Sequence, residues 1–164
     1  MRFFKAILNW AQNLFFKAKK VPVLGPAIPS YYRKAMSELG VLEYPGKLDN
    51  PKVISYHAAT TLKATHDSVP WCASFVCWCL EQSGIVSTRS ARARSFLTWG
   101  ESCEKHEGAI VVFKRGSNPA QGHVAFFVKD TEDWIYCLGG NQGNRVCIQK
   151  YAKSNLLDYR KPIS

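Results

Sequence analysis

Residues 69–84 read "VPWCASFVCWCLEQSG" and hold three of the chain's six cysteines within eight positions. The stretch predicts a helix over 70–82. Asp67 or Ser68 can cap it, Pro70 suits its first turn and Gly84 its end. Cys72, Phe75, Val76, Cys79 and Leu80 follow i, i+3, i+4, i+7 and i+8, one apolar stripe turned to the interior, with Cys77 off that stripe. Cys79, two turns inside the stripe, reads as an inert core thiol, and Cys77 reads the same way. Cys72 differs because it lies in the first turn. There the helix dipole and free backbone N–H groups favour an anion and lower a thiol's pKa. A thiolate is the form that attacks a carbonyl. Cys72 is therefore either one more buried cysteine or a nucleophile, and the presence of a base decides between them.

Downstream of Gly108 the period changes. Residues 109–113, 123–129, 134–138 and 145–151 alternate like strands separated by turns. Upstream, "SYYRKAMSELG" predicts a helix capped by Ser30 and Gly40, "VISYHAATTL" (53–62) another, and "SARARSFLTWG" (90–100) a short basic one. Helices first and an antiparallel sheet after them make an α+β arrangement.

His123 begins a strand whose two faces are both largely apolar, where imidazole is costly to bury without a partner. It is either a satisfied core histidine or the missing base. A hairpin centred near residue 131 sets position 139 opposite 123 and Asn141 diagonally across on the same face. A Cys–His pair needs a third polar group to fix the imidazole tautomer, a role asparagine can fill. Cys72, His123 and Asn141 occur in that order, while His57, His66 and His106 lie in helical or polar-loop contexts without this arrangement.

The remaining cysteines give little chemistry. No CxxC pair occurs and no histidine stands at zinc-ligand spacing from a cysteine, so a structural zinc is not expected, and attack by a thiolate on an amide needs no metal or organic cofactor. Cys137 and Cys147 flank the turn at Gln142 nearly symmetrically, so a cross-strand pairing in an oxidising compartment stays open. Cys103 sits in a polar loop with no evident role.

The 164 residues suit one domain with its own core. A formal charge of +10 favours anionic partners, whether nucleic acid, anionic lipid or an acidic wall polymer, or serves solubility alone. No zinc knuckle, RNA-recognition motif or helix-turn-helix signature appears, so a nucleic-acid partner is not expected. Residues 1–29 read as a basic amphipathic extension and linker ahead of a catalytic domain at 30–164. Apolar residues at 3, 4, 7, 8, 11, 14, 15 and 18, with Lys5, Lys17, Lys19 and Lys20, describe a helix. Such a helix either docks on the domain or lies on an anionic membrane surface through residues 1–20. Asn9, Gln12 and Asn13 interrupt the apolar run, which predicts neither a conventional export signal nor a membrane span.

Taken together, "SELGVLEYPGKLDNPKVISYH", "DSVPWCASFVCWCLEQSGI", "SARARSFLTWG", "GAIVVFKRG", "GHVAFFV" and "LGGNQGNRVCIQKY" resemble the NlpC-type and CHAP (cysteine, histidine-dependent amidohydrolase/peptidase) cell-wall hydrolases. The resemblance is closest to a compact branch found in bacteriophage lysins and bacterial wall enzymes, and it runs over roughly residues 31–162. It implies a papain-like α+β fold and hydrolysis of an amide bond in peptidoglycan, either in the stem peptide or in its cross-link. It makes Cys72 the nucleophile, His123 the general base and Asn141 the orienting residue. Around them, Trp71 walls the cleft or packs, Asp67 caps the helix or binds a substrate amine, and Gln142 touches substrate or turns the hairpin. Ala109 stands where related sequences usually carry an acid. A lysin of this kind works as a monomer and accumulates in the host cytoplasm before release to the wall. The competing readings are an effector protease acting on a non-wall amide and a membrane-active basic protein.

Overall fold

The computed structural model describes residues 28–163. The amphipathic pattern of residues 1–20, and with it any membrane contact, lies outside the described residues. Three α-helices come first: α1 (Ser30–Ser37), α2 (Pro51–His57) and α3 (Cys72–Glu81). A 3-10 helix, Ala93–Thr98, follows. The strands are β1 (Glu101–Ser102), β2 (Ile110–Lys114), β3 (Gly122–Asp130), β4 (Trp134–Gly139), β5 (Cys147–Ala152) and β6 (Leu156–Lys161). They form one antiparallel sheet in the order β1-β6-β2-β3-β4-β5. This is an α+β fold compatible with the papain-like architecture.

The ends of the helices differ from the sequence reading. Ser30 is the first helical residue of α1, not its cap: the Pro29 carbonyl accepts from the N–H groups of Tyr32 and Arg33. Helix α2 starts at Pro51, two residues earlier than "VISYHAATTL" predicts, because the Asn50 side chain accepts from Lys52 N–H and caps it. Helix α3 starts at Cys72 with Trp71 as N-cap, and no side chain caps it. Cys77, although off the predicted stripe, is as buried as Phe75, Val76, Cys79 and Leu80. The helix is apolar nearly all round and sits inside the molecule, as such helices do.

The sheet separates two clusters of buried side chains. On one face Ile110, Val112, Val124, Phe126 and Leu138 pack against α1, α2 and α3. On the other, Ala109, Val111, Phe113, Ala125, Phe127, Ile135 and Cys137 are covered by Tyr151, Leu156 and Tyr159. Alternation along β2 and β3 dictates this division, since neighbouring residues point to opposite faces. Ala109 belongs to the second cluster, where a carboxylate would be buried in apolar surroundings. Cys137 lies opposite Gln149 and Cys147 opposite Gly139, and all six cysteines are free.

One irregularity positions the site. The ladder between β3 and β4 runs from Asp130↔Ile135 to Phe126↔Leu138 and contains a bulge between Phe127 and Lys129. Beyond Phe126 the two strands part. β4 stays with β5 as far as Gly139↔Cys147, while β3 continues back to Gly122 beside β2. The opening between them is where α3 begins and where the 140–146 loop turns under.

Candidate active site

The two glycines after Leu138 bring the parts together. A β-carbon on Gly140 would stand 2.5 Å from the Trp71 ring and 2.6 Å from Phe75 Cβ. One on Gly139 would stand 2.8 Å from Ala125 Cβ and 3.0 Å from Gln142 Oε1. Only glycine lets the loop press on the start of α3 from one side and on β3 from the other. Asn141 then takes φ +54, which reverses the chain. The 40–44 segment clamps the loop from outside: Gly40 N–H donates to Val146 O, Val146 N–H to Val41 O and Glu43 N–H to Asn144 O.

The reversal carries the Gln142 side chain, and not that of Asn141, under His123. Gln142 is buried, and its Nε2 donates to the carbonyls of Cys137 (3.2 Å) and Cys147 (2.5 Å). Those two acceptors fix the amide orientation, so Oε1 is the atom facing His123 Nε2, at 3.0 Å. An amide oxygen only accepts, so Nε2 of His123 carries the proton. Tyr151 completes a triangle: its hydroxyl donates to Gln142 Oε1 at 3.0 Å and lies 3.0 Å from His123 Nε2. Its ring stacks on the imidazole at 4.8 Å between centroids and on Phe113 at 4.9 Å. The lone pair of the imidazole is thereby left on Nδ1, which is buried and has no hydrogen-bond partner.

Cys72 is the first residue of α3 and stays partly exposed while Trp71 and Ala73 on either side are buried. Its thiol lies against the Val124 backbone N–H, in the peptide that follows His123. Burial pushes the thiol above its ordinary value. The Val124 N–H, the Arg115 charge and the N–H groups of Ala73 and Cys72 itself offset this in part. The first-turn position therefore does not yield the lowered pKa that helix geometry alone predicts, because desolvation outweighs it. His123 is held down at about 4, chiefly by burial, with the Gln142 hydrogen bond acting the other way. No hydrogen bond joins Nδ1 to the thiol. The directions of both shifts describe a neutral thiol and a neutral imidazole.

The other residues singled out by the sequence are placed as follows. Trp71 is fully buried, packs on Tyr56 and Phe75 and donates from Nε1 to Glu43 Oε1 at 2.8 Å, so it packs and does not wall a cleft. Asp67 is buried and neither caps α3 nor faces solvent. Its Oδ2 accepts from Tyr44 N–H at 2.8 Å and Asn50 N–H at 2.9 Å, tying the loop before α2 to the loop before α3. Asn141 is half-buried, and its side chain makes no hydrogen bond to His123 among the described residues. Tyr151 was missed by the sequence reading. Its signal is weak, a tyrosine in a strand reading "CIQKYA", and only the pairing of β4 with β5 brings it over β3.

No group of three His, Cys, Asp or Glu side chains capable of holding a metal occurs among the described residues, and no described helix is long and apolar enough to cross a membrane. No curated protein matches the chain. The family model of the CHAP domain matches residues 64–141, from the loop before α3 to Asn141, a span that contains both Cys72 and His123. Over that span the chain is similar to the CHAP domain, which points to a hydrolase of the amidase or peptidase kind.

Proposed function

We propose that the protein hydrolyses an amide bond of peptidoglycan, in the stem peptide or its cross-link, as a lytic enzyme of the endolysin type. One observation carries the mechanism: His123 is held through Nε2 by Gln142 and Tyr151, while Nδ1 is buried and unpartnered and the N–H of the next residue, Val124, acts on the partly exposed thiol of Cys72. Nδ1 takes the Cys72 proton and the sulfur attacks the amide carbonyl. Attack converts a neutral pair into imidazolium and a tetrahedral oxyanion. The N–H of Cys72, without an intrahelical acceptor in the first turn, is placed to receive the oxyanion. The imidazolium then protonates the leaving amine, and water releases the acyl group from sulfur. Gln142 supports both states, since its Oε1 accepts from Nε2–H throughout. In this reading Gln142 takes the orienting role that the sequence assigns to Asn141, and Asn141 serves the chain reversal. The charge of +10 gives attraction to an anionic wall.

The test is digestion of purified peptidoglycan by wild type and by Cys72→Ala, with products read by mass spectrometry. The expected result is cleavage by wild type, none by the folded variant, and fragment masses that identify the amide. A folded, reduced wild type that leaves every wall preparation intact would overturn the proposal.

A further inference from the structure

The arginines of the described residues are not equivalent. Arg89 and Arg160 are held by Glu81 and Asp158, and Arg94 donates from Nε to Gln121 O while its stem lies against Gly122. Arg115 is exposed and pairs with no acidic side chain among the described residues. It follows β2 directly. Phe113 is the register partner of His123 and Lys114 that of Gly122, so Arg115 stands one step past the end of β3, at the edge where His123 begins. Its charge acts on Cys72, His123 and Tyr151 alike. Next to the start of α3 a cleft of about 580 Å³ is lined by Thr61, Leu62, Val69, Pro70, Ser90 and Arg92, with no acidic side chain.

We propose that Arg115 is the specificity-determining residue of this site, pairing with a free carboxylate of the substrate beside the scissile amide, so that acidic peptides are preferred over their amidated counterparts. A guanidinium offers a planar fork that matches a carboxylate, and one with no internal partner keeps that fork for a ligand. The choice of substrate rests on the hydrolase reading, whereas the positive potential at Cys72 does not.

The experiment uses the full chain and two alkylating probes of similar size, iodoacetate and iodoacetamide, with the rate at Cys72 read by peptide mass mapping. The ratio of the two rates cancels the fraction of thiolate and reports the charge felt by the incoming reagent. Wild type should favour iodoacetate relative to Arg115→Gln by roughly fivefold, the size expected of one partly screened charge at short range, and Arg115→Lys should keep most of that preference. In parallel, Arg115→Gln should raise KM for stem peptides with a free glutamyl carboxylate well above any change for their amidated forms, while the loss of a charge felt by Cys72 alters kcat for both alike. An unchanged alkylation ratio, or equal rises in KM for both peptide forms, would overturn the inference. Absence of wall cleavage with the alkylation preference intact would remove the peptidoglycan reading and leave the carboxylate preference standing.

Discussion

His57 and His123 are both fully buried, and each leaves one ring nitrogen without a partner. His57 sits at the end of α2, with Nδ1 3.2 Å from Ser74 Oγ on the inner side of α3 and Nε2 unpartnered. His123 sits where β3 and β4 part, with Nε2 held and Nδ1 unpartnered. Burial lowers the pKa of both. The difference lies in what surrounds the free nitrogen and what fixes the other one. Ser74 can donate or accept by turning its hydroxyl, so it leaves the tautomer of His57 open. Gln142, with its amide locked by two backbone carbonyls, leaves His123 one tautomer only. The peptide after His123 also bears on a thiol with access to solvent, while the serine beside His57 is closed in the core. In the proposed mechanism a buried histidine serves as a base where its tautomer is fixed and a thiol lies near its strand.

The sharpest way to break this contrast is to remove each ring. His123→Ala should lower kcat on peptidoglycan roughly a thousandfold, within the range for loss of a positioned general base, with a smaller change in KM. His57→Ala should lower the melting temperature by creating a core cavity, while the kcat of the folded fraction stays within a few fold of wild type. Equal kcat losses in both variants would erase the distinction. The next effect separates neighbouring loop residues. Gln142→Ala should cost about a hundredfold in kcat by freeing the tautomer, together with about 1–3 kcal/mol of stability because two buried carbonyls lose their donor. Asn141→Ala should cost far less in kcat, and a matching loss would return the orienting role to Asn141.

The smallest effect is on stability against pH. His123 has a folded pKa of about 4 against the ordinary 6.5 of an imidazole in the unfolded chain. The unfolded state therefore binds more protons between these values, and stability falls as pH drops through that window. Between pH 7 and pH 5 His123 alone should remove about 2 kcal/mol. His57, shifted in the same direction, adds to the loss. A pH titration of denaturant midpoints would show this, and His123→Gln should reduce the slope.

The central strands were legible because β2, β3 and β4 are buried on both faces or nearly so, and their apolar runs are bounded by turns. β6 escaped because "LLDYRK" mixes charge into a half-buried strand, and the two residues of β1 carry no pattern at all. The candidates Cys72 and His123 rest on local context, a first helical turn and a polar residue opening an apolar strand. The side chain that faces His123 Nε2, that of Gln142, could not be placed in this way. A hairpin centred near 131 sets 139 opposite 123, but β4 begins at Trp134, later than that centre allows, and the bulge at Phe127/Lys129 shifts the ladder again. The ladder then ends at Leu138, and a backbone turn at φ +54 decides which side chain goes beneath the imidazole. Bulges and left-handed turns of this kind depend on tertiary packing, here the approach of Trp71 and Phe75 to Gly140.

The central claim is that Gln142 holds His123 as the Nε2–H tautomer beside an uncharged thiol. Nitrogen-15 NMR of the histidine side chains at pH 7, with His123→Gln to assign the signal, tests it directly. The account predicts a protonated Nε2 and an unprotonated Nδ1 for His123, lost as a defined state in Gln142→Ala. An Nδ1–H tautomer, or an imidazolium protonated on both nitrogens in the resting protein, would contradict it.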